Sequence, residues 1–330
     1  MKILVTGSSG FIGYHLVKKL MEYKSNQIVG IDSLDPYYDV SLKINRNKSL
    51  LKNNKYNNFK FYKVNLINAQ ALNRLFKKEK FDTVVNLAAQ AGVRYSLENP
   101  TSYLRSNLIG FFNILDFSKK FKIKHLLSAS TSSVYGESTK FPLKVSEPAD
   151  EPIQFYAATK RSNEIMGYSY SHIHNLPITM LRFFTVYGPW GRPDMSLFLF
   201  VKNILNNKSI NVFNYGNHSR DFTYVDDIIE GIYLAIKKIP KKNITKSIPP
   251  YKILNLGNGT KIKLMTFIKE IEKNLKKKAN IKYLKIQKGD IKETLSDISE
   301  TKKYIKYQPK VNVVEGVKKF INWYKVYYKI

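Results

Sequence analysis

The sequence predicts an α/β fold built on a doubly wound parallel sheet, with a smaller C-terminal α/β unit after it. Three observations carry that prediction. Short apolar strands alternate with helical runs up to residue 183, a glycine turn links the first strand to the first helix, and the alternation becomes irregular after Met195. At 330 residues and 43% apolar, the chain is long enough to build two such units around large cores. Residues 1–184 are expected to form the sheet domain, with a contribution returning from about 222–258. Residues 185–330 are expected to form mainly the second unit.

Taken in order, Lys2–Thr6 reads as a buried strand and Phe11–Met21 as a helix, with Gly7, Gly10 and Gly13 at their junction. The first glycine permits a tight turn, the second lets a pyrophosphate approach the backbone, and the third lets the helix pack close to the strand. The helix N-terminus offers free N–H groups and positive dipole to phosphate. This is a Rossmann-type junction, here spaced G-x-x-G-x-x-G. A second strand, Gln27–Ile31, ends at Asp32, 19 residues after Gly13. A carboxylate there accepts from a ribose diol and repels a 2′-phosphate, which favours NAD over NADP.

Residues 33–58 form a long Lys- and Asn-rich insertion that predicts one basic helix and has no legible role. The alternation then resumes with strands at Phe59–Val64, Asp82–Leu87, His125–Ala129 and Ile178–Phe183. Helices are expected over Ala69–Lys78, Pro100–Lys120 and Phe155–Ile173. Ligands of such sheets bind beyond the strand carboxyl ends. The glycine turn and the acid place a dinucleotide at Gly7, Gly10, Phe11, Ile12, Gly13 and Asp32. In the second unit, Ser196–Asn206 reads as a helix, Ile210–Asn214 as a short strand, and Asp221–Asp227 as a strand turning into a helix. Lys237–Pro250 reads as a surface linker, and Val313–Tyr328 as an amphipathic basic helix packed on the domain.

Composition narrows the chemistry. The chain has no cysteine, which excludes disulfides, thiolate nucleophiles and cysteine-ligated zinc, and its five histidines are scattered, so no metal site is expected. The net charge of +30 comes from 47 lysines against eight arginines, spread along the whole length. Nucleic-acid sites favour arginine, so lysine on every solvated face is the simpler reading and no nucleic-acid partner is expected. No run approaches the length and apolarity of a membrane span, and Met1–Gly7 runs straight into the glycine turn without a leader-like apolar region. A soluble, cytoplasmic setting is expected.

Tyr156 and Lys160 lie four apart in a helical run, which puts them on one face. An ammonium beside a phenol favours the phenolate, so such a tyrosine can serve as general base and acid. The spacing is weak evidence by itself, since Tyr14/Lys18, Tyr56/Lys60 and Tyr233/Lys237 share it. Context selects Tyr156, which follows a strand ending in the hydroxyl cluster Ser128-Ala129-Ser130-Thr131-Ser132-Ser133, with Thr131 25 residues upstream.

With these residues in hand, the chain resembles the extended short-chain dehydrogenases/reductases of the nucleotide-sugar epimerase/dehydratase type, over essentially its whole length. It is similar in particular to the UDP-glucuronate 4-epimerases, through Leu87-Ala88-Ala89-Gln90-Ala91-Gly92-Val93-Arg94-Tyr95-Ser96 and the run from Arg182 to Met195. The resemblance implies tightly held NAD, hydride transfer at sugar C4 and a catalytic Thr131/Tyr156/Lys160 group. It adds Asn65, Leu66, Leu87, Ala88, Ala89, Tyr156 and Lys160 to the expected cofactor set. It implies a UDP-sugar substrate, UDP-glucuronate or UDP-galacturonate, and a homodimer formed through the Pro100–Lys120 and Phe155–Ile173 helices. Asn65-Leu66 stands where such proteins commonly have Asp-Leu, and Asn can still meet an adenine edge.

Dehydratases of this type carry Asp-Glu after the catalytic Thr, and decarboxylases carry Glu before Val-Tyr-Gly. Here those positions are Ser132 and Ser133, whose hydroxyls cannot replace a carboxyl group in acid–base work. Epimerisation through a transient 4-keto sugar is what remains. Another UDP-hexose 4-epimerase, a UDP-glucuronate decarboxylase and, more remotely, a non-catalytic basic nucleotide- or nucleic-acid-binding protein stay open as alternatives. The resemblance assigns Ser132, Ser133, Thr185, Arg192 and Arg94 to the sugar end, with Arg192 offering a guanidinium fork to the substrate carboxylate. It assigns Phe213 and Tyr215 to the base, Arg220 to the diphosphate and Asp290 to the ribose.

Overall fold

The computed structural model describes residues 1–138 and 140–330. Its centre is a sheet of seven strands, all parallel, in the order β10-β6-β5-β4-β1-β2-β3. The first five are β1 (Lys2–Thr6), β2 (Gln27–Asp32), β3 (Phe59–Lys63), β4 (Thr83–Asn86) and β5 (His125–Thr131); β6 is Ile178–Phe183 and β10 is Tyr251–Leu256. Strands covered on both faces must be apolar throughout, and Ile3, Leu4, Val84, Val85, Leu126 and Leu127 are all fully buried.

Helices α1 (Phe11–Met21) and α9 (Val225–Lys237) pack together on one face. On the other face lie α3 (Ala69–Glu79), α6 (Gly110–Lys120) and α7 (Phe155–His174). The winding reverses between β1 and β4, which opens a crevice at their carboxyl ends, the usual ligand position in this architecture. The 33–58 insertion holds α2 (Val40–Lys52), started by Asp39, whose carboxylate accepts from Ser41 N at 2.8 Å.

The helix expected over Pro100–Lys120 is not continuous. After a turn α4 (Tyr95–Glu98), a turn α5 (Pro100–Tyr103) leads into a π-helical stretch, Leu104–Ile109, before α6 begins. Asn107 explains the break. Its side chain donates to Gln90 O and Thr159 Oγ1 and accepts from Gln90 N, while its own carbonyl accepts from Asn163 Nδ2 at 2.7 Å. That carbonyl is drawn out of the regular ladder toward α7, as π-bulges at sites commonly are.

The remaining strands form two small sheets. One has the order β11-β9-β7, from β7 (Thr185–Tyr187), β9 (Ser219–Tyr224) and β11 (Lys261–Lys263); the other pairs β8 (Ile210–Val212) with β12 (Ile281–Tyr283). They pack with α8 (Ser196–Leu205), α10 (Leu264–Leu275), α11 (Ser299–Ile305) and α12 (Val313–Tyr328). Phe222 stacks on Phe267 at 4.1 Å, and α12 buries Val317, Phe320, Ile321 and Tyr324. The strand expected over Ile210–Asn214 stops at Val212, because Asn214 and Tyr215 turn into the left-handed region at φ 52°. No helix is long and apolar enough to cross a membrane among the described residues.

Candidate active site

The carboxyl ends of the parallel strands bring the sequence-selected residues to one edge. Thr131 is the last residue of β5, and Tyr156 and Lys160 lie in the first two turns of α7. Burial pushes the Tyr156 phenol above its ordinary value; the Arg192 charge and the neighbouring Thr131 hydroxyl pull it down. The sequence expects Lys160 to supply that pull, whereas Arg192 is the cation acting on the phenol here. Lys160 is 3% exposed, and burial lowers its pKa to about 8, opposed by Glu164 one turn on. It takes part in no ion pair among the described residues.

Glu164 anchors the helix beneath. Its carboxylate accepts from Ser130 Oγ at 2.6 Å, from Arg182 twice at 2.8 Å and from Arg161 Nη1 at 3.0 Å. After Thr131 the chain makes a 3₁₀ turn over Ser132–Tyr135, and Thr131 Oγ1 donates to Ser133 Oγ at 3.2 Å. Ser132 and Ser133 put hydroxyls, and no carboxylate, beside Thr131.

The glycine turn fits a dinucleotide. Gly7 has φ +69°, and a Cβ there meets Ala88 N at 2.8 Å; a Cβ on Gly13 meets Gly7 O at 2.1 Å. Helix and strand therefore approach as closely as only glycine permits, leaving the backbone open to phosphate. Phe11 and Ile12 begin α1 just beyond the turn, and Gly10 is its N-cap. Asp32 ends β2 and accepts from Ser9 N at 3.2 Å and Leu34 N at 2.8 Å. Leu87 follows β4, and Ala88 N donates to Thr6 Oγ1 at 3.0 Å, with Ala89 next. Asn65 uses its side-chain oxygen on Ile67 N at 3.1 Å, and Asn113 donates to Leu66 O at 2.7 Å.

At the other end, Arg94, Ser133, Gln154, Arg220, Lys288 and Asp290 line one cavity of about 110 Å³. Arg220 donates to Asp290 at 3.0 Å and to the carbonyls of Ser219 and Lys292. Arg94 lies over the Phe213 ring at 4.8 Å, whereas Tyr215 is 57% exposed. Thr185 and Arg192 line a separate small pocket with Phe11 and Phe320. The expected guanidinium fork of Arg192 is already engaged: Nε and Nη2 donate to the Asp194 carboxylate at 3.0 and 2.5 Å. Nη1 makes no hydrogen bond among the described residues.

Sequence reasoning missed Tyr37, Arg46, Gln154, Lys288 and Asp194. Asp194 had a usable signal, an acid two residues from a chosen arginine. Tyr37 had none, since it reaches Asp194 across 157 residues.

The comparisons with known proteins agree with this geometry. Residues 3–257 match the NAD dependent epimerase/dehydratase family. The chain is 49% identical over 338 residues to protein CapI of Staphylococcus aureus, covering all of both chains. It is 43% identical to the UDP-glucuronate 4-epimerase of Thermodesulfobacterium geofontis, covering 98% of this chain and 95% of that one. Among solved structures it resembles the UDP-glucuronic acid 4-epimerase of Bacillus cereus in complex with UDP-glucuronic acid and NAD, with TM-score 0.90 and 33% identity, over 99% of this chain and 100% of that one.

Proposed function

The chain belongs to the NAD dependent epimerase/dehydratase family, and on that premise we propose that it is an NAD-dependent UDP-glucuronate 4-epimerase, interconverting UDP-glucuronate and UDP-galacturonate through a transient 4-keto sugar. The observation that carries the reading is the pairing of Tyr156 and Thr131 with hydroxyl residues at 132 and 133. When bound, NAD would supply the reversible two-electron acceptor that oxidation and re-reduction at C4 require.

The chain's own residues do the rest. Gly7, Gly10 and Gly13 with the start of α1 hold the pyrophosphate, and Asp32 holds the adenosine ribose. Asn65 and Leu66 border the adenine, and Leu87 to Ala89 line the path along the cofactor. Lys160 offers its ammonium to the second ribose beside Tyr156. Tyr156 takes the C4 hydroxyl proton and gives it back, with Thr131 sharing the hydrogen bond. Ser132 and Ser133 cannot act as acid and base at neighbouring carbons, so elimination has no proton donor. Thr185 and Arg192 from one pocket and Ser133 from the other reach the substrate carboxylate in this reading, which matters because a 4-keto uronic acid is a β-keto acid and loses carbon dioxide when that group is released from polar contacts. Arg220 meets the diphosphate, Asp290 the uridine ribose, Phe213 and Tyr215 the base, and Arg94 the sugar end.

The second copy of the chain is the partner this reading implies. Leu104 and Phe112 are 43% and 46% exposed, and Ile165 and Tyr168 of α7 are 57% and 49% exposed. Apolar side chains on these neighbouring helices suit a symmetric helical interface. The decisive assay incubates purified protein with UDP-glucuronate and no added NAD. UDP-galacturonate is the expected product. A UDP-pentose, or conversion of UDP-glucose at equal efficiency, overturns the assignment.

A further inference from the structure

The role of the 33–58 insertion is not legible in sequence, but its contacts are specific. Tyr37 Oη donates to Asp194 Oδ2 at 3.0 Å, so the same carboxylate that holds Arg192 is itself held from the insertion. The Tyr37 ring also lies 5.9 Å from the Arg192 guanidinium. Gly92 makes room for the contact, since a Cβ at that position meets Tyr37 Oη at 2.6 Å. Burial and the Asp194 charge push the Tyr37 phenol up to about 12, which keeps it a neutral donor across the working range.

Arg46 of α2 supplies a second tie and is fully buried. Its Nη1 donates to Ser9 O of the glycine turn at 2.9 Å and to Tyr38 Oη at 2.8 Å. Its Nη2 donates to Trp190 O at 2.5 Å and Gly191 O at 3.3 Å. One guanidinium thus joins the turn that approaches the dinucleotide to the loop that carries Arg192. A buried cation with three acceptors on two distant segments, and a fourth on Tyr38 of the insertion itself, fixes their spacing, because each bond to a charged donor is strong and directional.

We propose that the insertion positions the sugar end of the site: Tyr37, through Asp194, sets the orientation of Arg192, and Arg46 fastens the Arg192 loop to the glycine turn. The proposal rests on the reading that Arg192 meets the substrate carboxylate. Tyr37 and Asp194 are positioning residues. They confer preference for a carboxylated over an uncharged hexose without touching the reacting carbon. With Nε and Nη2 fixed on Asp194, the guanidinium presents Nη1 as its one free edge, and that edge is held in place before the substrate arrives.

The test is calorimetric binding of UDP-glucuronate, UDP-glucose and UDP to the NAD-loaded protein and three variants. Arg192→Ala is expected to lose UDP-glucuronate affinity while UDP-glucose binds as before; equal losses sink the reading of Arg192 and this proposal with it. Given that control, Tyr37→Phe is expected to weaken UDP-glucuronate about five- to tenfold, the scale of one ordinary net hydrogen bond felt through Asp194, with UDP and UDP-glucose changed less than about twofold. Unchanged UDP binding also shows that the variant is folded. Asp194→Asn is expected to act in the same direction. If Tyr37→Phe matches the parent on all three ligands, or weakens all three alike, the positioning role is wrong and the Arg192 reading stands. If Asp194→Asn tightens UDP-glucuronate, Asp194 competes with substrate for the guanidinium and the proposal is overturned.

Discussion

The two ends of the cleft treat charge in opposite ways. At the sugar–nucleotide end every arginine singled out for the substrate diphosphate or carboxylate already has a carboxylate: Arg192 has Asp194 and Arg220 has Asp290. At the cofactor end the glycine turn works through backbone geometry, and Lys160 is buried without an ion pair among the described residues, with the charge of Glu164 one turn on partly offsetting its burial. A paired arginine keeps its charge and direction at any ordinary pH, so it orients a ligand. A bare buried lysine sits near its titration point and is stabilised only when a ligand or a neighbouring charge arrives. Tyr156 lies between, half-buried where Lys160 is buried, and it is the Arg192 charge that pulls its phenol down.

The largest test of that contrast is where the two ends meet. Tyr156→Phe removes the hydroxyl to which the proposed function gives the proton transfer and leaves the other residues of both binding regions in place. The expected loss in turnover is about 10³-fold or more, within the range for general acid–base groups. Affinity for UDP-glucuronate, measured by titration of the NAD-loaded variant, is expected to stay within a few fold. A variant that retains a tenth of parental turnover shifts the proton transfer to Thr131 or to solvent.

The next test turns a paired arginine into a bare one. Arg182 is 1% exposed and bound through two nitrogens to Glu164, whose pKa stays below its ordinary value despite burial because the guanidinium hydrogen-bonds and attracts it. Glu164→Gln is expected to cost about 3–5 kcal/mol, the penalty for stranding a buried charge, measured by denaturant unfolding. A carboxyl with a depressed folded pKa contributes stability above its unfolded pKa and loses it as pH falls through the folded value. Parent and variant are therefore expected to converge on acidification. A constant gap down to pH 3 means that packing, not charge, sets the cost.

These regions also differ in how much the sequence disclosed. The cofactor end was readable because its determinants are local: three glycines within seven residues, an acid at a strand end, and a Tyr–Lys pair on one helical turn. Backbone approach needs glycine whatever the rest of the fold does, so composition reveals it directly. The sugar end depends on pairs that close only after folding, such as Tyr37 with Asp194 and Arg46 with Trp190. No local pattern marks them, and the residues assigned there came from a resemblance between motifs. The π-helical break at Leu104–Ile109 was hidden for the same reason, since Asn107 is drawn out by Gln90, Thr159 and Asn163, none of them its helical neighbours.

Removing the bare charge is expected to stabilise the protein. Lys160 has a folded pKa of about 8, well below the ordinary 10.5, because burial disfavours its ammonium. The sign is the reverse of a lysine that gains a partner. Folding must discharge or desolvate the group, so the cost is full below about pH 8 and fades as pH rises toward the ordinary value. Lys160→Met is therefore expected to raise the stability of the cofactor-free protein at pH 7 by about 3 kcal/mol, judged from a shift of that size in pKa. The gain is expected to shrink near pH 10, and affinity for NAD to fall. A variant that unfolds more easily than the parent at pH 7 shows that the ammonium has an internal partner and that the two ends do not differ as described.

The smallest effect concerns the far end of the cofactor. Asp32 is buried at the end of β2; burial raises its pKa, and Lys43 pulls it down most strongly among the nearby charges, with Arg46 adding to it. One negative charge therefore stands in front of two positive ones. With the carboxylate present, a 2′-phosphate meets repulsion; with Asp32→Asn, the nearest charges become Lys43 and Arg46, and NADP gains while NAD loses a ribose contact. The ratio of NAD to NADP affinity is expected to fall about tenfold, equivalent to about 1.4 kcal/mol, read by competition of the two dinucleotides for the cofactor-free protein. The amide still accepts one of the two backbone N–H bonds from Ser9 and Leu34 and loses the other, so NAD affinity is expected to fall with the lost bonds while the NAD-to-NADP ratio reports the charge. If the ratio is unchanged, discrimination comes from the steric limit of the turn, and the cofactor end then selects its ligand by backbone geometry throughout.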